Sequence, residues 1–152
     1  MKKDPQVILV IHNVRSALNV GSMFRTADAA GVGKIYLTGY TPTPDHDKVK
    51  KTALGAELSV PWEHVRQPAR LFKALKKDGY QIIALEQTKK SIDYRKFKSK
   101  LPVVLMVGNE VKGVSPAVLK YCDAAIEIPM RGGKESLNVA VACGIALYKL
   151  ME

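Results

Sequence analysis

Two cysteines, three histidines and one tryptophan are few for a chain of 152 residues, and each scarcity removes a class of function. Cys122 and Cys143 stand far apart among apolar neighbours, with no Cys-x-x-Cys pair. Neither a disulfide framework nor a dithiol redox centre is encoded, and two buried thiols in a reducing compartment are expected. His12, His46 and His64 with two scattered thiols do not make up a zinc ligand set, so no metal is expected. No apolar run reaches the ~20 residues that span a bilayer. The opening Met-Lys-Lys-Asp-Pro carries no signal-peptide core, so a cytoplasmic protein without membrane association is expected. Acidic residues are also scarce: 14 Asp and Glu against 24 Lys and Arg leave a net charge of +10. That excess on a small domain suits a polyanion, nucleic acid above all, or serves only to keep a basic protein dispersed. Neither Gly-x-Gly-x-x-Gly nor Gly-x-x-x-x-Gly-Lys-Ser occurs, which argues against a standard dinucleotide or NTP site. No Ser–His–Asp order or close carboxylate pair stands out for hydrolysis.

What is present is an alternation of short apolar runs and helical patterns without repeat, low-complexity tract or linker, so one domain over residues 1–152, with no separate RNA-binding extension, is expected. Val7-Ile-Leu-Val-Ile11 reads as a strand buried on both faces. A helix is expected from Asn19, as N-cap, to Gly31, as C-cap. At about 100° per residue Val20, Met23, Phe24 and Ala27 share its core side and Arg25 points away. Lys34 to Thr38 is a second strand, Thr52 to Ala56 a short helix after Lys48, Lys50 and Lys51, and Val60 to Val65 an edge strand because of Pro61. Gln67 to Lys77 forms a helix with Leu71, Ala74 and Leu75 as its buried stripe, and Tyr80 to Leu85 is a third strand. Between Lys89 and Lys100 lie six basic residues with Tyr94 and Phe97 among them. These form either a nucleic-acid surface or a solvated loop whose aromatics anchor it. Leu101 to Val107 and Ala124 to Ile128 complete the strands, with a short helix from Ser115-Pro116 between them. The final helix, from Ser136 onward, is apolar almost all round, as a helix buried in a core or against another subunit would be. On these residues alone Ser136 reads as its N-cap, with a ligand loop as the alternative.

Ligands gather beyond the carboxyl ends of strands in open α/β sheets, and three polar loops follow strands here, from His12, from Gly108 and from Met130. They contain or adjoin three motifs. Asn19-Val-Gly-Ser-Met-Phe-Arg25-Thr-Ala-Asp-Ala-Ala-Gly31 comes first, then Val107-Gly-Asn-Glu110-Val-Lys-Gly113. Ile128-Pro-Met-Arg-Gly-Gly-Lys-Glu-Ser136-Leu-Asn138-Val-Ala-Val-Ala is the third. In this order and spacing, across nearly the whole chain, they resemble the three motifs of the SpoU/TrmH branch of the SPOUT methyltransferases. The chain departs from that pattern at Lys134, where an apolar residue is expected, and at Ala140, where Ser is common.

The resemblance implies a parallel-sheet α/β SPOUT fold whose C-terminal segment threads a deep trefoil knot, a homodimer, and S-adenosyl-L-methionine as cofactor. It implies methylation of an RNA ribose 2′-hydroxyl, with tRNA placed ahead of rRNA. By the same resemblance Asn19, Arg25, Glu110, Ser136 and Asn138 are the catalytic set. The surroundings of Leu85, Gly108, Ile128, Met130 and Leu137 form the adenosine cradle. Arginine stays protonated in proteins, so Arg25 is expected to stabilise phosphate or a developing alkoxide. Glu110 is expected to orient Arg25 or Asn19, and Ser136 and Asn138 to order the catalytic loop. RNA is expected on Lys48 to Lys51 and Lys89 to Lys100. A SPOUT-like module that holds RNA without chemistry, and a methyltransferase acting on protein or a small molecule, are the competing readings.

Overall fold

The structure, a computed structural model, describes residues 4–152. Among these residues the strands are β1 (Val7–His12), β2 (Lys34–Thr38), β3 (Trp62–Val65), β4 (Gln81–Leu85), β5 (Ile92–Asp93), β6 (Val103–Val107) and β7 (Ala124–Glu127). The helices are α1 (Ala17–Ala30), α2 (Asp47–Ala53), α3 (Ala56–Ser59), α4 (Pro68–Lys77), α5 (Pro116–Leu119) and α6 (Val139–Leu150). The seven strands form one sheet in the order β3-β2-β1-β6-β4-β7-β5, with every pairing parallel. From β1 the chain steps outward through β2 to β3, then crosses to build the other half from β4. The junction of β1 and β6 is therefore a topological switch point, where the carboxyl ends of strands leave a crevice.

Successive side chains of a strand point to opposite faces, and β1 shows the consequence. Val7, Leu9 and Ile11 join one apolar cluster with Val20, Met23 and Phe24 of α1 and Cys143, Ala146 and Leu147 of α6. Ile8 and Val10 join another with Phe72 and Leu75 of α4. Both faces of the sheet are covered, which is why β6 is apolar throughout and β1 from Val7 to Ile11. No helix among the described residues is long and apolar enough to cross a membrane.

Several local expectations need correction. α1 begins earlier than Asn19: Ser16 is the cap, its side chain accepting from the Asn19 amide, while Gly31 closes the helix in the left-handed conformation as expected. Ser136 does not cap α6. Asn138 does, its Oδ1 accepting from the amides of Ala140 and Val141 at 2.9 and 3.2 Å. On α4, Phe72 and Leu75 are buried while Ala74 is exposed, because the aromatic ring takes the position nearest the sheet. Tyr94 and Phe97 are half-buried and pack against the core, so the aromatics of the 89–100 segment anchor it. That segment also adds the two-residue edge strand β5, too short to show a period. Of the two free thiols Cys143 is buried and Cys122 half-buried; desolvation raises both to about 12, so neither is a ready nucleophile.

Candidate functional site

The three polar loops converge at the carboxyl ends of the strands, and Glu110 joins two of them. Its Oε1 accepts the Arg15 amide at 3.0 Å and its Oε2 the Ser16 amide at 2.8 Å, the latter the amide of the α1 N-cap, which has no partner within the helix. Oε2 also meets Asn19 Nδ2 at 3.5 Å. Asn19 Oδ1 in turn accepts from Asn138 Nδ2 at 3.2 Å, and Asn138 caps α6. One chain of hydrogen bonds thus runs from the second motif through the first to the third. Burial pushes the Glu110 carboxyl up, but the amides of Arg15 and Ser16, its own backbone and the Asn19 side chain outweigh it and hold the group below its ordinary value. Glu110 is an ionised acceptor with its lone pairs committed, so it orients Asn19.

Beside this network lies the pocket that holds the expected cradle. Leu85, Gly108, Ile128, Met130 and Leu137 all line it, with Glu110 and Ser136 on its wall. At Gly108 a Cβ would come within 2.7 Å of the Gly113 backbone, so the close packing of this turn on itself requires glycine. Of the expected catalytic residues, Asn19, Glu110, Ser136 and Asn138 gather at or beside this pocket.

Arg25 does not. It is exposed on α1, six residues beyond Asn19, or about 9 Å along the helix axis. It lines a separate depression with Lys51 of α2 and Tyr148 of α6. The side-chain carboxylate of Glu110 bonds to Arg15, Ser16 and Asn19 and not to Arg25, so of its two expected partners, Arg25 and Asn19, it meets Asn19.

Three polar residues that sequence reasoning passed over support the pocket. Glu86, directly after β4, accepts the Val114 amide at 2.7 Å and the Gln87 amide at 2.9 Å. Asn109 Oδ1 accepts from the amides of Val111 and Lys112 at 2.9 and 2.8 Å. Gln87 Nε2 donates to the Glu135 carbonyl at 3.0 Å, tying the third loop to the end of β4. The available signal was position: each follows directly, or within two residues, a strand that the apolar runs had located.

Comparison with known proteins places this geometry. Residues 6–148 match the SpoU rRNA methylase family. The chain is 37% identical over 149 residues to the tRNA (guanosine(18)-2′-O)-methyltransferase of Aquifex aeolicus, covering 97% of this chain and 70% of that protein. The structure superposes with a TM-score of 0.88 and 31% identity on an rRNA methyltransferase from Sinorhizobium meliloti bound to S-adenosylmethionine, covering 97% of this chain and 56% of that one. A third structure, described as giving insight into 2-OH methylation of C/U34 on tRNA, gives a TM-score of 0.84 and 26% identity over 95% of this chain and 93% of its own. The chain spans 57–60% of the length of other curated relatives it matches. With its three motifs tied together beside one pocket, the chain belongs to the SpoU rRNA methylase family.

Proposed function

We propose that this protein transfers a methyl group from S-adenosylmethionine to a ribose 2′-hydroxyl of RNA, with tRNA ahead of rRNA as substrate. The observation that carries the reading is the Glu110–Asn19–Asn138 chain of hydrogen bonds at the pocket. The pocket's make-up fits the cofactor. Leu85, Ile128, Met130 and Leu137 offer apolar cover for a base, and Glu86 and Glu110 put carboxylates on the wall beside a cationic ligand. When bound, the cofactor supplies an electrophilic methyl on a sulfonium. The chain must then hold the 2′-oxygen in line with that methyl and stabilise the charge that develops as the hydroxyl proton leaves. Asn19 and Asn138, locked to each other and to Glu110, position the acceptor ribose. Ser136 orders the loop beside it, and Arg25 is the donor for phosphate or alkoxide.

Arg25 lies outside the pocket of its own subunit, and a homodimer answers why. On α6 Val141, Ile145 and Tyr148 form an exposed apolar stripe, Val141 53% and Tyr148 55% exposed, at one-turn spacing. A second copy of this chain is the proposed cover, and Arg25, sharing a depression with Tyr148, would then stand at the subunit boundary. We further propose that the 128–138 segment threads the trefoil knot of the family and that residues 1–152 act as one domain. RNA would meet the domain's own basic surface, including the exposed Lys48, Lys50 and Lys51.

The test is methyl transfer from labelled cofactor to separated tRNA and rRNA fractions that lack the modification, with cofactor binding followed in parallel by calorimetry. Label in tRNA supports the reading as stated, and label in rRNA alone reassigns the substrate. Cofactor binding without transfer points to another acceptor. No cofactor binding leaves an RNA-binding module without chemistry.

A further inference from the structure

Tyr94 and Phe97 are committed to the core, so stacking platforms for RNA must be sought elsewhere. Among the described residues two large aromatics are more than half exposed, Tyr148 and Tyr40. Tyr148 belongs to the apolar stripe of α6. Tyr40, 57% exposed, stands instead among polar groups in a depression at the carboxyl ends of β1, β2 and β3, with Asn13, His64, Arg66 and Gln67 around it.

The depression is built rigidly. Asn13 adopts a left-handed backbone with φ 54°, a conformation Asn tolerates, and its Oδ1 accepts the Tyr40 amide at 3.1 Å. His64 Nε2 lies 2.9 Å from the Gly39 carbonyl, and the Asn13 amide donates to the Thr38 carbonyl at 3.2 Å. The Tyr40 hydroxyl accepts from Asn109 Nδ2 at 3.0 Å, and the same nitrogen donates to the Asn13 carbonyl at 3.0 Å. Asn109 lines the cofactor pocket, so ring and pocket share one residue. Arg66 is exposed at the rim and makes no ion pair among the described residues. A fixed, exposed aromatic beside an unpaired guanidinium, on a chain of net charge +10, is complementary to a base and its phosphate.

We propose that this depression binds an unstacked nucleotide of the RNA substrate flanking the one at the pocket, its base on the Tyr40 ring and its phosphate on Arg66. The proposal rests on the RNA reading above. An apolar side chain of a protein partner would not use the Arg66 rim, and a free mononucleotide would not account for the direct connection to the pocket.

The experiment is equilibrium binding of end-labelled total tRNA across a salt series, with calorimetric binding of S-adenosylmethionine as the control. Tyr40→Ala weakens RNA binding on the order of tenfold, leaving its salt slope, the cofactor affinity and the melting temperature as in the parent. Tyr40→Phe keeps the ring but loses the hydroxyl tether to Asn109, and binds RNA within about twofold of the parent because stacking needs the ring alone. Arg66→Gln weakens binding and lowers the slope of log affinity against log salt by about 0.7–0.9, the loss of one phosphate contact. Tyr40→Ala binding like the parent overturns the proposal. So does Tyr40→Phe as damaging as Tyr40→Ala, which would mean that the tyrosine only braces Asn109. A parent that binds neither tRNA nor rRNA at low salt overturns the RNA reading and this subsite with it. Methyl transfer to RNA that is intact and indifferent to Tyr40→Ala overturns the subsite alone.

Discussion

The 108–114 loop and the 129–138 loop form two walls of the same pocket, yet they are held in different ways. In the first, almost every turn is pinned by a side-chain acceptor. Asn109 binds the amides of Val111 and Lys112, Glu86 binds Val114, and Glu110 reaches across to Arg15 and Ser16. In the second, residues 131–138 are all exposed, and two side-chain ties hold it, Gln87 to the Glu135 carbonyl and Asn138 to Asn19. One wall is preformed and the other is free to adjust. Loops with few packed contacts open at lower free energy than packed ones, so the exposed wall is the one expected to move when a ligand enters.

The largest expected effect separates chemistry from both walls. Arg25→Ala lowers kcat by about 10²–10³-fold, the range for losing one donor to developing charge. Because Arg25 is exposed and outside the pocket, calorimetric cofactor affinity and melting temperature stay at parental values. A fall in cofactor affinity would instead make Arg25 part of a pocket wall. Next comes a matched pair of glycines. Gly113 has φ 64° and a Cβ there would collide with the Glu86 carboxylate, so Gly113→Ala costs about 1–3 kcal/mol and weakens cofactor binding. Gly132 has nothing within 4 Å of its Cβ position, so Gly132→Ala stays within about 0.5 kcal/mol. Denaturant melts of the two variants compare the walls directly, and equal costs would erase the distinction.

A smaller effect is expected where the loose wall is anchored. Asn138→Ala removes the α6 cap and costs about 1 kcal/mol, and it also releases Asn19, so activity falls further than stability. Asn138→Asp retains the capping acceptor but not the Nδ2 donor to Asn19. It should recover stability more than activity, as measured by melting and methyl transfer. The smallest effect is in acid. Glu110 titrates below its ordinary value of 4.5 in the folded protein. Its contribution to stability is therefore complete above that value and is lost as the pH falls through the lower folded one. Glu110→Gln should flatten the pH dependence of stability below about pH 4.5 and leave it unchanged near neutrality. A parallel acid profile for variant and parent would show that the carboxylate contributes no ionised grip on α1.

Strand positions were legible because parallel strands covered on both faces read as near-continuous apolar runs, as Val7–Ile11 of β1 and all of β6 do. The exposed direction of Arg25 followed from helical periodicity alone. Caps were less legible: Ser16 and Asn19, like Ser136 and Asn138, are pairs of capping types a few residues apart, and only the loop geometry selects between them. The strand order and the wiring of Glu86, Asn109 and Tyr40 depend on contacts between segments distant in sequence, which no local pattern encodes. The five residues expected to form the cradle line one pocket. Arg25 stands apart from them, in a separate depression, because its place on the outward side of α1 turns it away from the pocket.

The most direct test of the account is transfer of labelled methyl from S-adenosylmethionine to total RNA lacking the modification, with the parent beside Arg25→Ala and Asn138→Ala and the product digested to nucleosides. The account predicts a labelled 2′-O-methylnucleoside from the parent and little or none from either variant. Label on a base, or equal 2′-O-methylation by the parent and Arg25→Ala, would contradict it.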